Sequence, residues 1–398
     1  MNLLNYMRFV ALPLFSSFQC LLFYLFHFIL RVDSLVTFLE QHISKDWISQ
    51  LPNEVICCIL SFLSLKEAGR TSVLSERWKH LWKYVPALDF NAISALCKAV
   101  TREEYVISLK RERCKFVNWV NQVLEFHQTL DLNKFRVYTD LDDSFGADIT
   151  KWLQYAFDKR VERLEVSLSQ HGPGFLPAFG NCVFPSPCLG HRFWNSLKVL
   201  ILKRVLISGA DLEFFLHNCK FLESLVVHCS SYLSTLEVCG PTIALQHLEI
   251  CFCPLKKLIV CDAYNLISLS VGVPKVLVLD NVPRLVHIHI TNVRYNVEDL
   301  FHRLWCCFSE LEVLSLALNI EKTREYEGKL PQPHALKQLL IELYLYQGES
   351  TFGLLVCLDS FFRASPNLEK FVAKLKYPLE KLSSTGIESE MCPASSGC

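Results

Sequence analysis

The fold is decided by the stretch from Leu222 to Val271, LESLVVHCSSYLSTLEVCGPTIALQHLEICFCPLKKLIVCDAYNLISLSV. A six-residue pattern, apolar-x-x-apolar-x-apolar, starts in it at positions 222, 233, 245, 255 and 266. The fourth and sixth positions alternate as in a strand, and the first packs from the preceding turn. Successive starts differ by 11, 12, 10 and 11 residues, which is too short for a strand plus a helix. We therefore expect two units to form one coil, with extended segments on both faces.

The same pattern recurs on both sides of this stretch. Before Leu222 and after Leu285, gaps of 25 to 36 residues hold a strand, a turn and a helix. Its occurrences are LNKFRV from Leu132, VERLEV from Val161, LKVLIL from Leu197, LESLVV from Leu222, LSTLEV from Leu233, LQHLEI from Leu245, LKKLIV from Leu255, LISLSV from Leu266, LVHIHI from Leu285, LEVLSL from Leu311, LKQLLI from Leu336 and LEKFVA from Leu368. The pattern predicts an irregular leucine-rich-repeat solenoid, an α/β fold with a parallel β-sheet on its concave face. The alternative, an ordinary β-rich domain, fits a dozen matches to one phased motif poorly. Asparagine ladders are absent, so the loops must satisfy their backbone groups differently.

A helical pattern precedes the repeats, from Trp47 to Phe90, WISQLPNEVICCILSFLSLKEAGRTSVLSERWKHLWKYVPALDF. We expect three helices: one whose first turn holds Pro52, one over Leu65 to Val73, and one capped by Ser75. Apolar side chains align on one side of the first and third helices, at Ile56, Ile59, Leu60, Leu63, Trp78, Leu81 and Trp82. Three helices in about 45 residues cannot bury so much apolar surface alone. A partner or an adjoining domain must therefore cover part of it.

These residues resemble the F-box of plant F-box proteins. The resemblance rests on Ile48, Leu51-Pro52, Glu54, Ile59-Leu60, Leu63, the string RTSVLSERWKHLW and Leu88-Asp89-Phe90. The repeats are similar to those of plant F-box/leucine-rich-repeat proteins. The segment ALKQLLIELYLYQGESTFGLLVCLDSFFRASPNLEKFVAKL resembles the FBD-type region that often closes such chains. Two departures fall in the second helix: Lys66-Glu67 replaces a common Thr-Lys, and Gly69 weakens the helix by about 1 kcal/mol relative to alanine.

The resemblance implies that the F-box docks on a Skp-type adaptor, and through it on the cullin and RING subunits of a ubiquitin ligase. Leu51-Pro52 would project into the adaptor, and Trp78 would be the aromatic anchor of a hot spot. The expected adaptor-binding residues are Leu51, Pro52, Ile56, Ile59, Leu60, Leu63, Leu74, Trp78 and Trp82. Some of them must instead belong to the core, and the pattern leaves open which.

The predicted domain organisation has six parts. They are residues 1–45, a hydrophobic N-terminal segment; 46–92, the three-helix F-box; 93–130, a helical linker; 131–332, the leucine-rich repeats; 333–382, the FBD-like terminal repeat region; and 383–398, a small, polar tail that we expect to be disordered.

The N-terminal segment leaves three interpretations open. Residues 10–30, VALPLFSSFQCLLFYLFHFIL, are long enough to span a bilayer and are flanked by Arg8 and Arg31. The stretch is a membrane anchor, a signal sequence, or translated upstream sequence from a mis-extended start. Because an F-box needs a cytosolic or nuclear partner, a cleaved secretory signal contradicts the resemblance. We expect the cytoplasm, the nucleus or both, with anchoring by residues 9–30 as the lesser alternative.

The sequence offers no recognisable catalytic or cofactor site, and we expect no enzyme activity, cofactor or metal. Phosphate-binding glycine loops and a nucleophile elbow are absent. Lysine plus arginine equals aspartate plus glutamate at 40 each, so charge does not indicate nucleic acid. The paired His287 and His289 alone make a weak metal site, and Cys251, Cys253 and the other scattered cysteines are expected to be packing thiols. The run Arg111-Glu112-Arg113 is interpreted as a solvated helix face.

The preferred function is substrate recognition for a cullin-RING E3 ligase of the SCF type, with the repeats binding an unknown target protein for ubiquitination. Side chains at the fifth motif position face outward and are the expected target contacts: Ile201, Val226, Glu237, Glu249, Ile259, Ser270, His289 and Ser315. One alternative is a membrane-anchored leucine-rich-repeat binding protein without a ligase role. Another is an F-box protein that binds the adaptor but assembles no active ligase. Nothing in the sequence requires a small-molecule co-ligand.

Overall fold

The fold is described from a computed structural model. The structure describes Ile48 and residues 50–92, 102–168, 182–185, 194–293, 304, 307–319, 334–344 and 365–376. The candidate anchor at residues 9–30 and the predicted tail from Ser383 lie outside these ranges. Among the residues that the structure describes, no helix is both long enough and apolar enough to cross a membrane. Contacts divide the chain into two compact units, with the boundary between Ile59 and Leu60.

The first unit contributes most of helix α1, Asn53–Leu60. Pro52 stands at its start, and the Pro52 carbonyl accepts hydrogen bonds from the backbone N–H groups of Val55 and Ile56, both at 3.1 Å. Pro52 is therefore the residue that precedes the helix, one position before the predicted first turn. Ile56 is completely buried, whereas Val55 is exposed, so α1 separates an inner from an outer face.

In the second unit, helix α2 covers Leu65–Arg70 and is closed at its start by Ser64. The Ser64 hydroxyl accepts from the Glu67 N–H at 3.3 Å, and the Glu67 carboxylate accepts from the Ser64 N–H at 2.9 Å. Hydrogen bonding to Ser64 holds the pKa of Glu67 below its ordinary value. Two 3₁₀ helices follow, Thr71–Val73 and Trp78–Tyr84, and Ser75 accepts from the Trp78 N–H at 3.4 Å as expected of a cap. The third predicted helix is thus 3₁₀ rather than α.

The second unit is dominated by a parallel sheet of eleven described strands, which lie side by side in chain order. The strands are β1 Ala87–Asn91, β2 Lys134–Thr139, β3 Arg163–Leu168, β5 Val199–Lys203, β7 Ser224–His228, β9 His247–Cys251, β11 Ser268–Gly272, β13 His287–Val293, β14 Val313–Asn319, β15 Gln338–Tyr344 and β16 Lys370–Lys376. The predicted α/β solenoid with a parallel sheet is confirmed. The sheet already begins at β1, inside the predicted F-box range, so the structure places its start before the predicted repeat boundary.

A second parallel sheet holds the intervening short units, in the order β12-β10-β8. Its strands are β8 Thr235–Cys239, β10 Lys257–Cys261 and β12 Val276–Asp280. Between positions 224 and 293 the chain therefore alternates between the two sheets. This confirms the prediction that two short units make one coil. A further short pair joins β4, Cys182–Val183, to β6, Val205–Leu206.

Helices lie in three of the returns that the structure describes. These are α3, Arg102–Phe126, between β1 and β2; α4, Gly146–Asp158, between β2 and β3; and α5, Gly209–Asn218, between β6 and β7, with 3₁₀ turns at Asp143–Phe145 and Trp194–Ser196. Helix α5 approaches β8 so closely that a Cβ on Gly209 would lie 2.0 Å from the Thr235 carbonyl oxygen. The Glu213 carboxylate of α5 accepts from the Glu237 N–H of β8 at 3.0 Å. This contact satisfies a backbone donor on the outermost strand of the second sheet.

The core consists of the predicted apolar motif positions. The first-position leucines Leu132, Leu197, Leu222, Leu245, Leu266, Leu285, Leu311 and Leu336 are all buried. So are the fourth and sixth positions of the same motifs, for example Leu225 and Val227 on β7. Period-two alternation therefore sends one face of these strands inward, as the sequence predicts. The last motif departs from the prediction, because Leu368 is half-buried and Phe371 and Ala373 on β16 are exposed.

The turns after the strands explain how the loops manage without asparagine ladders. The residue after several strands has a positive φ, as at Arg204 (57°), Cys229 (56°) and Asp262 (53°). Its N–H continues the ladder to the next coil: Arg204 donates to the His228 carbonyl at 2.8 Å, and Cys229 donates to the Cys251 carbonyl at 3.1 Å. A repeated left-handed residue thus extends the strand pairing by one bond and turns the chain.

Buried His127 joins the end of the 3₁₀ segment to helix α4. One ring nitrogen, Nε2, lies 2.8 Å from the Val85 carbonyl, and the other, Nδ1, lies 2.7 Å from the Tyr155 hydroxyl. A carbonyl only accepts, so Nε2 carries the proton and Nδ1 accepts from Tyr155 in the neutral ring. Burial lowers the pKa of His127 and raises that of Tyr155 to about 12.

We expect this pKa shift to make stability fall in mild acid. Because the folded-state pKa of His127 lies below its ordinary 6.5, the unfolded chain binds the proton more tightly. The stabilisation is complete above about pH 6.5 and is lost as the pH falls toward the folded-state pKa. The variant His127→Gln, which cannot titrate, should show a smaller drop in the urea midpoint between pH 7 and pH 5. An equal drop in both proteins would contradict this assignment.

Candidate functional site

The predicted adaptor-binding residues divide by exposure. Ile56, Leu60 and Trp78 are buried. Pro52 and Leu74 are exposed, and Leu51, Ile59, Leu63 and Trp82 are half-buried. The buried three form part of the interior, which leaves the other six accessible to a partner. Whether any of them binds an adaptor stays a prediction.

The same segment exposes apolar side chains that the helical pattern did not single out. They are Ile48, Val55, Phe62 and Val73, of which Val73 is 88% exposed. Val73 ends the first 3₁₀ helix, and the N–H of Leu74 donates to the Thr71 carbonyl at 3.0 Å. A short capped turn therefore presents two neighbouring apolar side chains outward. Helical periodicity missed Val73 because the turn is 3₁₀. The apolar pair Val73-Leu74, flanked by Ser72 and Ser75, was the available signal.

Six of the eight predicted target-binding residues lie in one register row across the large sheet. The strand pairing aligns Ile201 with Val226, Val226 with Glu249, Glu249 with Ser270, Ser270 with His289, and His289 with Ser315. We call this set the outer row. Its members are half-buried except Ser315, which is buried. The row runs across consecutive coils, as an extended contact surface requires.

Glu237 and Ile259 do not belong to that surface. They pair with each other on β8 and β10 of the second sheet. The fifth-position rule is right for each strand taken alone. It does not distinguish the two sheets between which the short units alternate.

The outer row continues toward β1 with charged residues that lie outside the predicted target-binding set. Asp89, Arg136 and Glu165 align in register, and Arg136 bridges the two carboxylates at 3.2 Å and 3.4 Å. Arg136 and Glu165 occupy the fifth position of their own motifs, so the same rule would have found them. The row therefore has a charged end and a mixed apolar and polar centre.

A compact group of potential ligands lies beside the centre of the outer row. His228 ends β7 and Cys251 ends β9, and the two are partners in register. Glu249 precedes Cys251 by two residues and accepts a hydrogen bond from His228 Nε2 at 2.7 Å. The imidazole nitrogen, the carboxylate oxygen and the thiol sulfur all lie within 4.8 Å of one another. We call these three residues the His-Glu-Cys cluster.

The electrostatics of the cluster follow from these contacts. Burial alone would lower the pKa of His228, but hydrogen bonds to Cys251 and Glu249 and the nearby negative charge raise it to about 9. The hydrogen bond from His228 in turn holds the pKa of Glu249 below its ordinary value. Without another ligand, the pair is therefore an imidazolium–carboxylate ion pair at neutral pH.

The prediction that Arg111-Glu112-Arg113 forms a solvated helix face is wrong for Arg113. Arg111 is exposed, and Glu112 pairs with Lys115 at 2.6 Å. The Arg113 guanidinium is instead largely buried and contacts Asp140 at 3.2 Å and Asp142 at 2.6 Å. Both partners lie more than 25 residues further along the chain, so local pattern could not reveal them.

The described cysteines are free thiols, among them buried Cys57, Cys182, Cys219, Cys251 and Cys307. Cys253, predicted to be a packing residue, accepts from the Ser230 N–H at 3.4 Å, and burial raises the pKa of its thiol to about 12. His287 and His289 share the outer face of β13, as predicted.

Comparison with known proteins agrees with the architecture. The F-box domain family matches residues 48–90, and the family At1g61320/AtMIF1, LRR domain, matches residues 176–391. The chain is 37% identical over 194 residues to the F-box/FBD/LRR-repeat protein At5g22700 of Arabidopsis thaliana, covering 46% of this chain and 41% of that protein. It is 33% identical over 201 residues to F-box/FBD/LRR-repeat protein At5g53840 of the same organism, covering 50% of this chain and 41% of that protein. F-box/LRR-repeat protein 13 of Arabidopsis thaliana is 27% identical over 209 residues, covering 48% and 43%.

Fold and family matches together define the class: an F-box followed by leucine-rich repeats. The repeat-domain match covers more than half of the chain. The chain belongs to the plant F-box/leucine-rich-repeat family with FBD-like features. The matched segments span less than half of the length of these three relatives.

Proposed function

We propose that this protein is the substrate-recognition subunit of an SCF-type cullin-RING ubiquitin ligase. In this role its F-box binds a Skp-type adaptor, and through it the cullin and RING subunits. The observation that carries the proposal is the exposed apolar surface of the F-box segment. In the first unit, Ile48 and Val55 are each more than 40% exposed, and in the second unit, Phe62, Val73 and Leu74 are each more than half exposed. Exposed apolar side chains that follow closely in one segment favour a protein interaction site.

The outer row supplies the second half of the proposal, the binding of a target protein. Its mixture of aliphatic, hydroxyl, imidazole and carboxylate groups suits a protein surface better than a single charged ligand. The contribution to catalysis is proximity: holding a target lysine near the activated ubiquitin raises its effective concentration. No covalent step is assigned to this chain.

The test is co-purification of the full chain with a Skp-type adaptor and a cullin. Leu51→Ala combined with Pro52→Ala removes apolar contact area from the two residues that the resemblance places against the adaptor. The double variant should reduce adaptor recovery at least about tenfold. Phe221→Ala is the matched control, because Phe221 is also more than half exposed but lies outside the F-box. Adaptor recovery that is the same for all three proteins would contradict the proposal. Adaptor recovered without cullin would show an F-box protein that assembles no ligase.

A further inference from the structure

The His-Glu-Cys cluster combines donor types that transition metals favour. Imidazole nitrogen, carboxylate oxygen and thiolate sulfur are the three ligand classes of protein zinc sites. His228 and Cys251 are held by paired strands, and Glu249 extends from the same strand face as Cys251. The backbone therefore fixes the approach of all three ligands before any ion binds. We propose that His228, Glu249 and Cys251 form a binding site for a divalent transition metal of the zinc class.

The geometry needs only a small adjustment to hold the ion. Donor atoms of a tetrahedral zinc site lie about 3.3 to 3.6 Å apart, given metal–ligand distances of about 2.0 to 2.3 Å. The three atoms here lie within 4.8 Å of one another, and His228 Nε2 is 2.7 Å from Glu249. Rotation of the Glu249 side chain, which is 41% exposed, would open that contact. The ion then replaces a direct hydrogen bond with two coordinate bonds.

Charge balance favours the same ion. Binding releases the Cys251 thiol proton and any proton on His228, because metal ligands must be deprotonated. A dication with one thiolate, one carboxylate and one neutral imidazole is a neutral assembly, which suits a partly buried position. The Ser270 hydroxyl lies 3.6 Å from Cys251 Sγ and would support the thiolate from outside the ligand set.

The fourth coordination position would face outward. Cys251 is buried, whereas the His228 and Glu249 side chains remain partly exposed. Three protein ligands with an open position leave room for water or for a donor from another molecule. The cluster touches the outer row through Glu249, so a bound ion would add an electrophilic contact to that surface. The metal site itself does not depend on the proposed ligase role.

The test uses Co²⁺, whose spectrum reports thiolate ligation, with the purified full chain. We expect one Co²⁺ per chain, a thiolate-to-cobalt charge-transfer band, tetrahedral d–d bands, and displacement by Zn²⁺. Cys251→Ser should remove the charge-transfer band, and Glu249→Gln should weaken Co²⁺ binding at least about tenfold. Cys261→Ser is the matched control, since Cys261 ends β10 on the second sheet as Cys251 ends β9.

The contrary results are equally definite. A chain that shows no thiolate band with Co²⁺ has an ion pair between His228 and Glu249 and no metal site. A band of unchanged intensity in Cys251→Ser would place the ion at other cysteines. In both cases the proposal is overturned. Circular dichroism of each variant separates loss of ligand from loss of fold, and the half-exposed Glu249 gives a variant that leaves the core untouched.

Discussion

Replacing Val73 and Leu74 together by aspartate should reduce the affinity of the full chain for a Skp-type adaptor by at least about 100-fold. Both side chains are exposed, at 88% and 57%, on a turn whose backbone is closed by the Leu74–Thr71 hydrogen bond. Two aspartates buried in an apolar contact would each lose hydration without gaining a partner. The substitutions leave the interior of the F-box unchanged, since surface changes of this kind usually alter stability by less than about 0.5 kcal/mol.

The dissociation constant can be measured by titrating labelled adaptor with the purified variants. Phe221→Asp is the control: it places an aspartate on an exposed apolar position outside the F-box and should bind like the unmodified chain. A dissociation constant within about threefold of the unmodified chain for the Val73 and Leu74 double variant would remove this turn from the interface. The Leu51 and Pro52 variant would then show whether the first unit binds alone.

Sequence reasoning succeeded where the chemistry is local. The burial of Leu222, Leu225 and Val227 follows from the alternation of one strand and the turn before it, so six residues of sequence suffice. The spacing of the short motifs also predicted coils with a strand in each of two sheets, because ten residues cannot hold a strand plus a helix. Ser75 was placed correctly as a cap, and Pro52 was placed within one residue of the helix start, because both positions depend on a few neighbouring N–H and C=O groups.

It failed where two distant segments meet. Glu237 and Glu249 occupy the same motif position, yet only Glu249 is in the outer row, because successive short units enter different sheets. The pairing of Cys251 with His228 could not be predicted either, because it depends on strand register rather than on spacing within one motif. The apolar stripe of the F-box likewise could not separate buried Trp78 from half-buried Trp82.

The largest stability effect that we expect comes from Arg113, whose partners the sequence also hid. Its guanidinium lies against both Asp140 oxygens, at 3.2 and 3.3 Å, and donates to Asp142 at 2.6 Å. The Asp140 side chain is only 1% exposed. The contact ties α3 to the end of β2 and to the Asp142 cap before α4. Removing the cation leaves a carboxylate in the interior, where loss of one member of a buried pair costs about 3 to 5 kcal/mol.

Arg113→Met, which keeps the length of the side chain but not its charge, should therefore lower the free energy of unfolding by about 3 to 5 kcal/mol in urea denaturation. Lys115→Met breaks the exposed pair with Glu112 on the same helix and should cost less than about 1 kcal/mol. Adding Asp140→Asn to Arg113→Met removes the buried charge and should recover part of the loss, which a double-mutant cycle measures.

Equal, small effects from Arg113→Met and Lys115→Met would show that α3 is held by its apolar face alone. Near-additive losses in the cycle would show that Arg113 and Asp140 act independently. The expected coupling would instead make this ion pair the polar link between the first return helix and the start of the sheet.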